Sequence, residues 1–149
     1  MSGPDATADA TAETTADATA EITALTGAFF AAFDSREGRV PPLETLRGLF
    51  VPGGLLAVTA PAYACWGVEE FVESRRAVLL PGGRVTEFAE WETGGRTELF
   101  GGIASRFAEY AKSGRLDGDP FAGGGAIAFQ CVRTPEGWRI TSAVWHDHA

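Results

Sequence analysis

The spacing of hydrophobic and polar positions divides the chain into a helical first half and a second half of strands. Apolar residues recur at intervals of three and four over residues 22–33, which predicts a buried amphipathic helix that ends near Ser35. The same spacing predicts a shorter helix over residues 41–50 and a third helix over residues 68–80, each followed by a Pro-Gly-Gly sequence. A short β-like run, residues 55–59, lies between the last two helices.

The region after the third helix mixes aromatic, branched and acidic residues. Residues 85–93 are predicted to be a strand, and the glycine pair 94–95 is a predicted hairpin turn. Residues 97–112 fit a helix by spacing alone. The glycine pair 101–102 argues against a continuous helix, so a strand with a glycine bulge stays open.

The last two strands are predicted from the turn between them. Residues 124–133 and 138–147 flank the sequence Thr-Pro-Glu-Gly, which is typical of a tight turn. This turn predicts that Cys131 lies opposite Ile140, and the period of two then assigns every neighbouring residue to one face of the sheet.

The two predicted faces differ in character. The apolar face is expected to meet the helices and line any cavity, and it holds Ile103, Ser105, Phe107, Ile127, Phe129, Cys131, Ile140, Ser142 and Val144. The other face combines small alanines with large polar and aromatic side chains, a composition that suits an interface. We therefore expect a homodimer through the face of Arg106, Tyr110, Gln130, Thr141 and Trp145.

Residues 1–21 have the composition of a disordered tail. They repeat an Asp-Ala-Thr-Ala phrase, and they contain five acidic residues and no Lys or Arg. With no large apolar side chain between residues 2 and 21, burial cannot offset the entropy of ordering this segment. The predicted organisation is a tail over residues 1–21 and one folded domain over residues 22–149.

Composition excludes several classes of function. The net charge of -8 provides no basic surface for nucleic acid, and no apolar run is long enough to span a membrane. Without a basic and apolar signal at the N-terminus, the chain is expected to be soluble and cytoplasmic. Cys65 and Cys131 stand alone, which indicates neither a disulfide framework nor a zinc site.

Three phrases and the order of elements resemble a known superfamily. Phe-Ala-Glu-Trp-Glu at residues 88–92, Phe-Gly-Gly-Ile-Ala at 100–104 and Gly-Trp-Arg-Ile at 137–140 resemble strands of small SnoaL-like members of the nuclear transport factor 2-like superfamily. The resemblance covers residues 22–147 and implies that residues 97–112 are a strand. It also implies an α+β, cystatin-like fold, in which a cone-shaped curved antiparallel sheet wraps around three N-terminal helices.

The resemblance implies a pocket and leaves its chemistry open. Members of this superfamily include isomerases, cyclases and dehydratases as well as non-enzymatic domains, so the fold does not give the function. The expected partner is a small hydrophobic molecule, and no cofactor or metal is expected. The residues expected to bind the ligand are Phe33, Tyr63, Trp66, Ser105, Phe107, Phe129, Cys131 and Ser142.

Three residues are candidates for proton transfer, and each has a plainer alternative. Glu90 could enter the pocket beside Trp91, where burial would raise its pKa, or it could be a solvated strand residue. Tyr63 could donate a hydrogen bond to a ligand or be half exposed. His146 could be a base at the pocket mouth or part of a frayed terminus; with His148 alone it lacks enough ligands for a metal.

Three hypotheses about function follow. The first is an uncharacterised domain that binds a small apolar ligand in its pocket. The second is a cofactor-independent isomerase, cyclase or dehydratase that acts on a polycyclic or polyketide-like substrate. The third is a protein-interaction module that uses the outer face of the sheet.

Overall fold

The computed structural model describes residues 13–149, in which three α-helices pack against one face of a six-stranded sheet. The helices are α1 (Thr15–Ala31), α2 (Leu46–Leu49) and α3 (Val68–Leu79). Short 3-10 turns lie at Arg36–Gly38 and Leu43–Thr45. These helices correspond to the three that the apolar spacing predicts, although α1 ends at Ala31 instead of near Ser35.

The strands are long in the second half of the chain and short in the first. They are β1 (Phe50–Val58), β2 (Ala64–Gly67), β3 (Val85–Phe100), β4 (Ile103–Leu116), β5 (Asp119–Thr134) and β6 (Gly137–Asp147), in the order β2-β1-β6-β5-β4-β3. The pair β1 and β6 is parallel and the other pairs are antiparallel. The sheet is therefore mostly antiparallel, as the resemblance implied, with one parallel pair.

Helix α1 begins inside the segment predicted to be a disordered tail. Thr14 caps it, because the Thr14 hydroxyl accepts a hydrogen bond of 2.9 Å from the Asp17 N–H. Ala18 is buried in the core, and the Glu21 carboxylate accepts a hydrogen bond from the Trp138 N–H at 2.9 Å. The prediction of disorder is thus wrong for residues 15–21, because composition does not reveal these contacts with β6; residues 1–12 lie outside the described part of the chain.

The turn between the third and fourth strands lies at the second glycine pair. The glycine pair 94–95 sits inside β3, next to a register shift between Glu92 and Gly94, and the chain reverses at residues 101–102. The prediction of a hairpin turn at 94–95 and a bulge at 101–102 is therefore wrong. Gly95 serves a close approach instead, because a Cβ there would lie 2.9 Å from Nη2 of Arg106.

The faces of the central strands differ from the prediction. Cys131 does lie opposite Ile140, but a register shift next to Cys131 places Phe129 opposite Ala143. On β4, Ala104 pairs with Cys131, so the even-numbered residues of β4 share the helix-contacting face. We call this face, which contacts the helices, the inner face.

These two differences move several predicted residues to the opposite side of the sheet. Arg106, Tyr110 and Trp145, which were expected in the dimer interface, belong to the inner face, where Tyr110 is only 4% exposed. In contrast, Ile103 and Phe107 lie on the outer face. The predicted composition of the interface is therefore wrong.

The core lies between the inner face and the helices. Aromatic side chains of α1 form its centre, where Phe29 contacts Phe33 and Phe129 with ring centroids 5.3 and 5.2 Å apart. Its largest fully buried side chains include Trp138, Phe71, Phe129, Ile22, Leu43, Leu46, Leu56 and Ile140. Over residues 13–149, none of the helices has the length and apolar character needed to cross a membrane.

Candidate functional site

A cavity of about 260 Å³ lies between α1, α3 and the inner face at the end of the sheet away from the β5–β6 turn. Most of its lining is apolar: Phe29, Phe30, Phe33, Phe71, Val78, Leu79, Val85, Phe88, Phe121, Ile127 and Trp145. Five polar side chains complete it: Arg75, Glu90, Tyr110, Lys112 and Asp147. An apolar cavity with a few converging polar groups is the usual form of a small-molecule site.

Regular spacing within the elements brings the polar groups together. On α3, Arg75 lies four residues after Phe71 and four before Leu79, so it shares the buried face of the helix. On the sheet, Tyr110 and Lys112 are two residues apart on β4, and Glu90 of β3 pairs directly with Lys112. Local periodicity therefore places charged groups inside an otherwise aromatic cavity.

Tyr110, Lys112 and Asp147 form a connected cluster on one wall. The Tyr110 hydroxyl donates a hydrogen bond to the Asp147 carboxylate. The Lys112 ammonium nitrogen lies 3.2 Å from Oδ1 of Asp147. Burial is the main cause that raises the pKa of Tyr110 well above its ordinary value, and the hydrogen bond to Asp147 raises it further. The phenol therefore stays protonated.

Glu90 is the carboxyl group of the cavity with no hydrogen bond to stabilise its charge. Burial raises its pKa to about 7, with Asp147 adding to the shift and Lys112 and Arg75 opposing it. Within residues 13–149, no fully buried side-chain oxygen lacks a hydrogen-bond partner, so the Glu90 oxygens are not sealed from water, and the side chain lines the cavity. This carboxyl group can therefore both accept and donate a proton near neutral pH.

Arg75 covers the aromatic side of the cavity. Its guanidinium carbon lies 4.3 Å from the ring centroid of Phe71 and 5.3 Å from that of Trp66. Nη1 donates a hydrogen bond of 3.2 Å to the Ser74 hydroxyl. Burial lowers the pKa of Arg75, while the charges of Glu90 and Asp147 oppose that effect.

A second buried charge pair lies outside the cavity lining. Arg106 Nε donates to Glu92 at 3.0 Å, and Arg106 Nη1 donates to the Thr97 hydroxyl at 2.8 Å. The two charges of this group pair with each other, so neither needs a ligand to balance it.

The structure brings only some of the predicted site residues to the cavity. Phe33 and Glu90 line it. Trp66 is not part of the lining, but its ring stacks on that of Trp145, which is, with the ring centroids 6.1 Å apart. Phe129 and Cys131 are buried in the core beside the cavity and are not part of its lining.

The remaining predicted residues lie outside the cavity. Tyr63, in the loop before β2, is 73% exposed. His146 is exposed, and its Nδ1 lies 2.7 Å from the Thr59 hydroxyl. Ser105, Phe107 and Ser142 belong to the outer face, so the prediction that they line a cavity is wrong. The prediction fails because it assumed a register between the strands that differs from the one observed.

Sequence reasoning missed four of the five polar lining residues, although each had a detectable signal. Arg75 occupies a core position of the predicted third helix by its spacing from Phe71. Asp147 alternates with His146 and so faces the opposite side of β6. Tyr110 and Lys112 required the register of β4, which the turn at residues 101–102 sets.

The described residues offer no cluster suited to a metal. Over residues 13–149, no group of three or more His, Cys, Asp or Glu side chains is arranged to hold an ion. The polar groups of the cavity are instead the Glu90 carboxyl group, whose pKa is about 7, the paired carboxylate of Asp147, the cations of Arg75 and Lys112, and the phenol of Tyr110.

Comparison with known proteins identifies the fold. No protein-family model and no curated protein sequence matches the chain. Among solved structures, it is similar to an NTF2-like protein with a cystatin-like fold from Novosphingobium aromaticivorans, with 20% identity, 88% of this chain and 82% of the other covered, and a TM-score of 0.69. A candidate dehydratase of the NTF2-like family from Streptomyces avermitilis shows 16% identity, coverage of 91% and 99%, and a TM-score of 0.71.

A dehydrochlorinase also has a similar structure. A type 2 hexachlorocyclohexane dehydrochlorinase (LinA) shows 14% identity, coverage of 88% of this chain and 85% of the other, and a TM-score of 0.72. The chain thus has the NTF2-like, cystatin-like α+β fold that the sequence resemblance implied.

Proposed function

We propose that the chain is a cytoplasmic, cofactor-independent isomerase or lyase that moves a proton on a small, largely apolar substrate, with Glu90 as the base. One observation carries the proposal: a carboxyl group with a pKa of about 7 faces an aromatic cavity and has no hydrogen bond that would commit it to a structural role. A base is most effective when its pKa lies near the working pH.

The reaction that fits these groups is proton removal next to a carbonyl. Glu90 takes the proton, the C–H electron pair forms the new C–C double bond, and the carbonyl electrons move to oxygen. Lys112 lines the same cavity and can donate an N–H to that oxygen. Returning the proton to another carbon completes an isomerisation, and loss of a β-leaving group with its electron pair completes an elimination.

The size of the cavity limits the substrate. A volume of about 260 Å³ lies at or below the lower end of the range of roughly 300–1,000 Å³ that is common for ligand pockets. A molecule of one or two rings suits this volume better than the polycyclic substrate expected from the resemblance. Two structural neighbours, a dehydrochlorinase and a candidate dehydratase, are named for eliminations, which agrees with this class of reaction.

Binding without chemistry is the second candidate, because eleven of the sixteen lining residues are apolar. In this function the cavity would hold an apolar molecule, and Glu90 would transfer no proton. The two candidates differ in one property that can be measured without knowing the natural substrate, namely the exchange of a carbon-bound proton with solvent.

The test is deuterium exchange at the α-carbon of one- and two-ring ketones such as 2-tetralone, followed by proton NMR in D₂O. We expect the protein to accelerate exchange and Glu90→Gln to lower the rate by about 10²–10⁴-fold, the usual contribution of a general base. His146→Asn is the matched control, because His146 is exposed on the outer face and should not affect the rate.

Two results would argue against the enzyme. Wild-type protein that binds the ketones, as judged by tryptophan fluorescence, yet leaves their exchange rates unchanged would favour the binding function. Equal acceleration by the wild type and Glu90→Gln would show that a different group removes the proton.

A further inference from the structure

Arg75 differs from its neighbour Arg76 on the same helix. Arg76 points away from the cavity and pairs with Glu73 at 3.1 Å and with Glu44. Within residues 13–149, Arg75 has no carboxylate within 4 Å, and its one side-chain hydrogen bond goes to the neutral Ser74. A guanidinium group has five N–H donors, so most of its hydrogen-bonding capacity is unused.

The position of Arg75 makes this lack of a partner costly. The guanidinium stacks on Phe71 and Trp66 at the cavity wall, where burial already disfavours its charge. Desolvated cations in proteins are normally paired or bound to a ligand. A bound anion would supply the missing charge without displacing an existing ion pair.

The other charged groups of the cavity do not supply that anion. Asp147 is already shared by Lys112 and the Tyr110 hydroxyl. Glu90 is the remaining carboxyl group, and below pH 7 it is mostly protonated and no longer repels an acid. The Arg75 guanidinium is then the cavity's unpaired charge.

We propose that Arg75 is the carboxylate-binding residue of the cavity and that the substrate is a small, largely apolar carboxylic acid. That the acid is a substrate rests on the proposed function, whereas the binding of an acid by Arg75 can be tested independently. Arginine suits the task because its planar fork binds a carboxylate through two parallel hydrogen bonds. The rings of Phe71 and Phe88 would then contact the apolar part of the acid.

The experiment compares an acid with its neutral isostere. 2-Naphthoate and 2-naphthamide are titrated into the protein at about pH 6, with affinity measured by calorimetry and by quenching of the tryptophan fluorescence. We expect the wild type to bind the acid at least about tenfold more tightly than the amide, as is typical for a charge-assisted pair. Arg75→Met should reduce that preference to about twofold or less.

Two further variants keep the result interpretable. Arg76→Met removes the adjacent guanidinium that faces away from the cavity, and it should retain the full preference for the acid. Arg75→Lys keeps the charge and loses the fork, so we expect an intermediate preference and an intact fold by circular dichroism. Equal affinity of the wild type for acid and amide, no binding of either, or a preference that survives in Arg75→Met would overturn the inference.

The outcome is separable from that of the proposed function. If Glu90→Gln and the wild type both prefer the acid while no ketone exchanges its α-proton, the anion site stands and the enzyme does not. If the wild type exchanges neutral ketones without any preference for acids, the enzyme stands and the role of Arg75 does not.

Discussion

Glu90 illustrates how a single side chain couples function to stability. Its carboxyl group is ionised in the unfolded chain above an ordinary pKa of 4.5, but in the folded protein its pKa is about 7. Between these values the folded state holds a proton that the unfolded state has released. Stability therefore falls as the pH rises through this window, and the full cost is present above pH 7.

This linkage predicts that Glu90→Gln stabilises the protein in a pH-dependent way. At pH 8 the substitution removes a buried charge, and we expect the free energy of unfolding to rise by on the order of 1–2 kcal/mol. At pH 4 both states of the wild type are largely protonated, and the gain should nearly vanish. Urea unfolding at the two pH values measures the difference.

The matched control for this prediction is Glu98→Gln on the same strand. Glu98 is exposed, so its replacement should change stability little at either pH. A gain in Glu90→Gln that is equal at pH 4 and pH 8 would show that the Glu90 carboxyl group does not titrate in the folded state as described.

At the scale of elements, the first two turns of α1 are fixed by contacts with the last hairpin. Glu21 accepts a hydrogen bond from the Trp138 N–H at 2.9 Å, and Glu13 accepts one from the Trp138 indole N–H at 3.0 Å. Glu13 also lies 3.3 Å from Arg133. These bonds connect the start of α1 to both sides of the β5–β6 turn.

The contact predicts that Glu21→Ala destabilises the protein although Glu21 itself is exposed. Removing the carboxylate leaves the partly buried Trp138 N–H without its acceptor, and we expect a loss of about 1–2 kcal/mol in the free energy of unfolding. Chemical denaturation measures the loss. Asp119→Ala, at an exposed strand end, is the control, and equal effects of the two substitutions would contradict the prediction.

At the scale of the whole molecule, the outer face of the sheet presents apolar side chains in place of the residues predicted there. One row runs across three strands through Phe107, Ala128 and Val144. Next to it, the Ser105 hydroxyl donates a hydrogen bond of 2.8 Å to Gln130. A row of large and small apolar residues beside neutral polar ones suits contact with a second protein surface.

We propose that this face, and not the set of residues expected from the sequence, forms a homodimer. Phe107→Glu would place a charge at the β4 end of the row, where Phe107 is 46% exposed, and should convert a dimer to a monomer at micromolar concentration. Light scattering coupled to size-exclusion chromatography measures the mass. The control is Val40→Glu, because Val40 is exposed but lies outside the sheet; a wild-type monomer would refute the dimer.

The fold could be predicted from short-range signals because they are strong in this chain. Aromatic residues at helical spacing define α1, the Pro-Gly-Gly sequence at residues 81–83 follows the end of α3, and a Thr-Pro-Glu-Gly turn defines the last hairpin. The Pro-Gly-Gly sequence at residues 52–54 lies inside β1, so the prediction that it ends a helix is wrong. Local rules fail at residues 15–21 and at the two glycine pairs. There, distant partners decide the outcome, such as Trp138 for Glu21 and Arg106 for Gly95.

The sequence by itself determined the class of fold, the position of Phe33 in the cavity lining and the candidacy of Glu90. Tertiary structure decided which side of the sheet each strand residue faces, because a shift of one residue exchanges the two faces and periodicity alone cannot detect it. For the same reason Tyr110 and Lys112 joined Glu90 and Asp147 inside the cavity, while Ser105 and Phe107 moved outside. The chemistry of the site depends on this register, since burial among those neighbours is what brings the Glu90 pKa near neutrality.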